Sequence, residues 1–474
     1  MPQVMDIKDH YLEAFGRFEK ARADEPSPLY RLRESAMSRF AELGFPTTHD
    51  EEWRFTNIAP LTQIAFQPAL TSVPEEFTTL KLDRLTFGAW DCYRLVFVNG
   101  AFAADLSTPP GNKTFTVSSL HDEQLGRAPE SIEPYLAKLA DHEDLVFLRR
   151  AGISARASIY LAKLADYEEH AFTALNTAFF YDGAFVHIPR GQVISKPIHL
   201  VFVSVPGEKP SMAHPRTLIV AGVNSQATIV ESYVSFGNDG AFTNAVTEIV
   251  LEENASLDHY KIHRENPQTF HIATLQVQQN RSSRFSSHSI ATGGSLVRNE
   301  VNAVLDGEGC ECTLNGLYMA KGKQLIDNHT RIDHAKPHCT SHELYKGILD
   351  DQARGVFNGK IYVHEDAQKT DAKQTNKTLL LSEDAVINTK PQLEIFADDV
   401  KCTHGATIGQ LAEEAIFYLR SRGIGREDAR SLLTFAFAND IIGRIKVEPI
   451  RAHLEETLLA GRQAPVRPEL EEEV

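Results

Sequence analysis

Cysteine is scarce and scattered in this chain. Five residues, Cys92, Cys310, Cys312, Cys339 and Cys402, are spread over 474 positions with no C-x-x-C pair. That excludes a disulfide framework and a self-contained zinc-finger or cubane-binding motif. Long hydrophobic runs are missing as well. No apolar segment approaches the roughly 20 residues needed to span a bilayer, and the stretch Met1–His10 is polar and acidic, unlike a secretory signal. A cytoplasmic protein is expected. Positive charge is in deficit too: 48 Lys and Arg against 64 Asp and Glu give a formal charge of −16, with no dense basic run. Nucleic acid would meet a repelling surface, so neither nucleic acid nor membrane is an expected partner.

Common catalytic fingerprints are also absent. There is no G-x-x-x-x-G-K-[ST], so the chain has no P-loop ATP site of its own. No G-x-G-x-x-G opens a helix after a strand, and no G-x-S-x-G elbow occurs. Hydrolase and dehydrogenase chemistry therefore has little to stand on.

What is present is an ordinary folded composition, 42% hydrophobic and 24% charged. Apolar residues Tyr11, Leu12, Phe15 and Phe18 predict a helix over Asp9–Arg22, and a second is expected over Leu29–Leu43, stopped by Gly44 with Pro46 beyond. The segment from Gly44 to Asn57, polar but punctuated by Trp53 and Phe55, reads as a loop anchored in a hydrophobic socket. These define a helical domain over 1–92. Strand patterns then dominate from 93 to 405, interrupted by a helical interlude near 131–178. Small residues open alternating runs at Ala227, Ala255, Ser283 and Cys310, at spacings of 28, 28 and 27. That period fits a β-solenoid; a β-sandwich or cupin-like barrel is the rival. Residues 406–474 return to helix. Leu411, Ala415, Ile416 and Leu419 form one stripe ended by Gly423, and Ala429, Leu432, Leu433, Ala436 and Phe437 form the buried face of another. This last unit is either a docking surface or a cap on the β-domain, and an acidic tail, Pro468–Val474, follows it.

Two places carry candidate chemistry. His334, His338 and His342, with Cys339 and Glu343 among them, have the composition of a metal cluster and would serve a stand-alone metalloenzyme, but Pro337 excludes the helix of a zinc-protease motif. Cys310 and Cys312 share a strand face and suit a solenoid interior. The second place is Lys401-Cys402-Thr403-His404-Gly405-Ala406. On a strand, Cys402 and His404 face the same way, and thiolate plus imidazole suits iron, zinc or copper. Two ligands do not complete a site. Either Cys402 is a buried thiol and His404 caps the last coil with Gly405 supplying the bend, or the pair is half of a composite site finished by a second subunit.

The run Pro391 to Thr407, with Phe417 to Ile424, closely resembles the SufD branch of the SufB/SufD family, proteins of the SUF iron–sulfur cluster assembly system. Gly44-Phe45-Pro46, Glu52 to Thr56, Phe357 to Ile361, Lys369 to Ala372, Thr375-Asn376 and Leu379 to Leu381 are similar to family segments, so the resemblance covers nearly the whole chain. SufB-like chains carry a Glu-His-Glu-Ala pattern where this one has Lys401-Cys402-Thr403-His404-Gly405-Ala406. The resemblance implies a mainly β fold, a right-handed parallel β-helix flanked by N- and C-terminal helical domains. It further implies a non-catalytic scaffold that pairs with a SufB-like paralogue through the β-helix and with a SufC-like ABC ATPase through the C-terminal helices, or with itself when isolated. A nascent iron–sulfur cluster would be shared with SufB through His404, with Cys402 at the same seam. A flavin is neither implied nor excluded.

Overall fold

A computed structural model of the chain describes residues 7–21, 30–69, 77–111, 114–121, 164–205, 207–238 and 240–460. Strands of eight to eleven residues follow one another from Gln226 to Gly409, and consecutive strands enter different sheets. One sheet stacks Arg216–Ala221, Ala241–Leu251, Phe270–Gln279, Leu296–Leu305, Leu325–His334, Arg354–Val363 and Val386–Ile395. The other stacks Ile198–Ser204, Gln226–Ser235, Ser256–Arg264, Arg284–Ala291, Glu311–Ala320, Thr340–Leu349, Asp371–Leu380 and Lys401–Gly409. All these pairings are parallel. The result is a β-solenoid of about eight turns, not a sandwich or barrel.

A repeating corner makes the coils stack. Asn224, Asn254, Ser282, Gly309, His338 and Lys369 all have left-handed backbone, with φ between 51° and 72°. Each donates its amide to a carbonyl of the next turn, as Asn254 does to Arg281 at 3.0 Å. The residue after each corner, Ser225, Ala255, Ser283, Cys310, Cys339 and Thr370, is buried to 1% or less. These positions sit directly above one another in the ladder, and each carries a small side chain. The first member of this column is Ser225 rather than Ala227, because the register pairs Ala227 with Leu257. Periodicity alone could not separate two small residues two positions apart.

Between the sheets lies a continuous core that includes Ile249, Leu275, Val301, Ile332 and Phe357. Two tyrosines key it: the ring of Tyr345 lies 2.2 Å from where a Cβ on Gly316 would stand, and Tyr318 lies 2.4 Å from the same point on Gly347. Glycine inside a strand marks such a close approach.

Helices clothe the outer faces. Ile7–Lys20, Tyr30–Leu43 and Ala171–Phe179 pack together and against Met212, Phe242, Phe270 and Leu296 of the first sheet. Residues up to 163 of the helical interlude expected near 131–178, and the acidic tail, lie outside the described residues. At the other end of the chain, Glu413–Arg420 closes with Gly423 at φ +85°, and Arg426–Ile442 and Glu448–Ala460 follow. This unit folds back on the second sheet, where Ile441, Ile442 and Ile450 meet Tyr260, Ile290 and Leu317. Each such isoleucine contributes about 1.5–3 kcal/mol by burial, which a free helix pair would lack. Of the expected face Ala429 is buried and Leu432, Leu433 and Phe437 are half-buried, Ala436 is exposed, and the contact extends to Ala438, Ile441 and Ile442. Lys346 ties this helix to the sheet, donating to the Phe437 carbonyl at 2.8 Å and to Asp440. Among the described residues no helix is long and apolar enough to cross a membrane.

Asn254→Ile should lower stability by about 1–2 kcal/mol, since a β-branched residue resists the left-handed corner. Asn254→Gly should cost little. Matched denaturation midpoints for both variants would show that the corner geometry carries no such constraint.

Candidate functional site

A parallel ladder satisfies one turn's backbone with the next, and this one stops without a cover. Val386–Ile395 is bonded only to Arg354–Val363, and Lys401–Gly409 only to Asp371–Leu380. Their outer edges have no strand beside them among the described residues. Val386, Ile395, Phe396 and Ile408 are all exposed there, at 39–57%. An open edge carrying apolar side chains is a template on which another chain can pair.

Cys402 and His404 lie on this terminal strand. Register places Cys402 above Ala372 and His404 above Gln374, both interior positions, so the pair faces the solenoid axis at its mouth. Their environments differ. Cys402 is half-buried against Leu393, Val400 and Ala372, and burial pushes its thiol above the ordinary range. His404 is exposed. Gly405 supplies no bend: it lies mid-strand, outside the left-handed region, with open space around it, and the strand runs on to Gly409.

Beneath His404 the interior turns polar. The column reads Leu314, Glu343, Gln374, His404 through four successive turns. Gln374 donates its amide to Glu343 at 2.8 Å, and both are buried. Burial raises the Glu343 carboxyl from 4.5 to about 7. Composition does not single out Gln374, and it sets Glu343 only beside the histidines of the 334–342 segment, not with His404. They become visible only when a step of 30–31 residues is taken back from His404.

The other histidine cluster does not assemble. His334 is buried inside, bonded to Ser341 Oγ at 2.9 Å, with burial holding its imidazole down to about 4. His338 is a left-handed corner residue, and His342 is exposed on the outward face of its strand. Cys312 is core, and Cys310 belongs to the small-residue column just before the strand. The thiols of Cys310 and Cys339 both donate to the Gly307 carbonyl, at 3.1 and 3.2 Å.

Among the described residues one set of three possible ligands does converge: His263, Glu265 and His271, all buried. His263 Nε2 and His271 Nδ1 lie 2.9 and 2.7 Å from Glu265 Oε2. These are hydrogen-bond separations. An ion held at about 2.1 Å by all three would spread the atoms to about 3.4 Å. The histidines instead outweigh the burial of Glu265 and keep its carboxyl ionised.

The aromatic loop flanks the mouth, and a polar clamp holds it as much as a hydrophobic socket does. Trp53 packs on Phe172 and lies 3.8 Å under the Arg298 guanidinium. Arg298 also donates to Glu300, to Asp327 and to the Glu52 carbonyl. Burial would raise the Asp327 carboxyl, but His329 and Arg298 hold it down to about 2. Phe55, by contrast, is exposed. Between this loop and the last turn opens a cleft of about 690 Å³ bordered by His49, Phe55, Thr389, Lys390 and Ile408.

Residues 202–437 match the model described as "SUF system FeS cluster assembly, SufBD core domain", and residues 5–151 and 152–200 match the SufBD N-terminal region. The chain is similar to an iron–sulfur cluster assembly SufBD family protein of Synechocystis, with 33% identity over 94% of each chain. It is 32% identical to the iron–sulfur cluster assembly protein SufD of Escherichia coli, covering 88% of this chain and 89% of that one. It is 29% identical to the chloroplastic protein ABCI7 of Arabidopsis thaliana, over 90% and 84%.

The raised Glu343 carboxyl gives a pH test. Its folded value of about 7 lies above the ordinary 4.5, so its stabilising contribution is complete below pH 4.5 and lost as pH rises through 7. Glu343→Gln mimics the protonated form. Its stability relative to the parent chain should therefore rise between about pH 5 and pH 8, by up to roughly 3 kcal/mol. A difference that stays flat with pH would contradict the assignment.

Proposed function

Since the chain belongs to the SufBD family of iron–sulfur cluster assembly proteins, we propose that it is a SufD-type scaffold subunit whose open solenoid end receives a SufB-like paralogue. The observation that carries this is the uncovered last turn, with its unpaired edges, its apolar rim and His404 facing the axis. A second solenoid set against it would continue both ladders and bury the exposed Val386, Ile395 and Ile408. The same end offers a second copy of this chain an equivalent contact when the partner is missing.

In this account the iron and sulfide are cargo, not a resident cofactor. His404 supplies one imidazole ligand from the mouth of the solenoid, and the paralogue supplies the thiolate and carboxylate ligands that this chain lacks. The imidazole must be neutral to ligate. Cys402, half-buried with its thiol pushed up, is the weaker donor and lines the seam. The protein performs no chemistry alone. Energy comes from an ABC-type ATPase docked on the C-terminal helices, where Phe417 and Tyr418 stand 71% and 55% exposed. Because Arg426–Ile442 packs directly on the second sheet, movement of these helices is transmitted to the turns that end at His404. Assembly takes place in the cytoplasm.

Co-expression with SufB-like and SufC-like partners of the same genome should yield a complex with one copy of this chain, one paralogue and two ATPases by native mass. His404→Ala should leave that mass unchanged and lower cluster yield roughly 10-fold or more. Cys402→Ser should cost less. A chain that never joins the partners, or a His404→Ala complex with undiminished yield, would sink this account.

A further inference from the structure

The turn beneath His404 contains a built but unfinished hydrogen-bond relay. Gln374 is 1% exposed and is His404's partner in the strand register. Its amide nitrogen is committed downward to Glu343 Oε2 at 2.8 Å, while its carbonyl oxygen is buried with no partner. An orphaned buried acceptor costs about 1–3 kcal/mol, so something should complete it. Side chains on adjacent rungs of a parallel ladder stack about 4.8 Å apart on the same face. The imidazole on the next rung is therefore the group within reach, and being exposed it is free to turn. Space for the amide is made from across the core. A Cβ on Gly359 would stand 2.3 Å from Gln374 Nε2 and 2.8 Å from its amide carbon, so only glycine leaves that side chain where it is.

We propose that Gln374 is a positioning residue for His404: its amide oxygen accepts the inward N–H of the imidazole, fixes one tautomer, and leaves the other nitrogen's lone pair facing out of the solenoid mouth. Glu343 sets the direction of the relay. As an acceptor it takes the NH₂ end of Gln374, which turns the carbonyl end toward His404. An imidazole that ligates a metal needs this kind of second contact to hold its tautomer and ring orientation. Gly359 completes the device by letting the amide lie across the core. The purpose assigned to the fixed tautomer rests on the ligand role proposed for His404; the hydrogen bond itself does not.

The test reads the tautomer directly. In the full chain with ¹⁵N-labelled histidine rings, the His404 signals are those that vanish in His404→Ala. Above the titration range they should show one dominant neutral tautomer. Gln374→Met, equal in length but without an acceptor, should shift them toward the mixture of an unconstrained imidazole, and Gln374→Glu should restore the single form. Gly359→Ala should reproduce the Gln374→Met result without altering residue 374. A parent chain that already shows the unconstrained mixture overturns the proposal with no variant needed, and so does a single tautomer that persists in folded Gln374→Met. The ligand role is tested separately: in the assembled complex, Gln374→Met should weaken binding of added ferrous ion 10–100-fold. A tautomer that responds as expected while ferrous binding is indifferent to His404→Ala would keep the relay and remove the ligand.

Discussion

Everything in this molecule depends on the inter-turn hydrogen-bond ladder. A parallel solenoid has no closed set of bonds; each coil completes the one before it and relies on the one after. The left-handed corners at Asn224, Asn254, Ser282, Gly309, His338 and Lys369, each followed by a small buried residue, keep the coils in register so that the ladder can run. The last coil necessarily leaves one set of donors and acceptors unanswered. That unanswered edge, a liability in an isolated protein, coincides with the strand that carries Cys402 and His404.

The helical domains respect this edge. The N-terminal helices attach to the outside of one sheet, fixed by Trp53 beneath Arg298 and by the buried Arg298–Asp327 pair. The C-terminal helices attach to the outside of the other through Ile441, Ile442 and the Lys346 contact with Phe437. Neither lies over Lys401–Gly409, all of whose nine residues except Cys402 are exposed. Both domains clamp the flanks. The architecture stiffens the solenoid and presents its end.

Much of this was legible in the sequence because the determinants are local or periodic. Spacings near 28 reveal the solenoid, and the two-residue separation of Cys402 and His404 puts them on one face. What escaped needs the register. Ala227 looked like a column member, although Ser225 fills that place, because both are small and only the ladder tells them apart. Gln374 drew no notice in the sequence, and Glu343 was grouped with the wrong histidines; their place one and two rungs below His404 comes from the register. Gly405 suggested a bend, but in an edge strand bonded on one side a glycine can simply be extended. His334, His338 and His342 looked like a cluster because they are close in sequence, and the fold sends them to the interior, a corner and the outer face.

The most direct test of the central claim, that the open end is the assembly surface, is amide hydrogen exchange on this chain alone and bound to its SufB-like paralogue. Backbone amides of Val386–Ile395 and Lys401–Gly409 should exchange quickly in the free chain and become protected in the complex, with the preceding turns little changed. A stable complex in which those two strands exchange as fast as before, with protection confined to the helices, would contradict it.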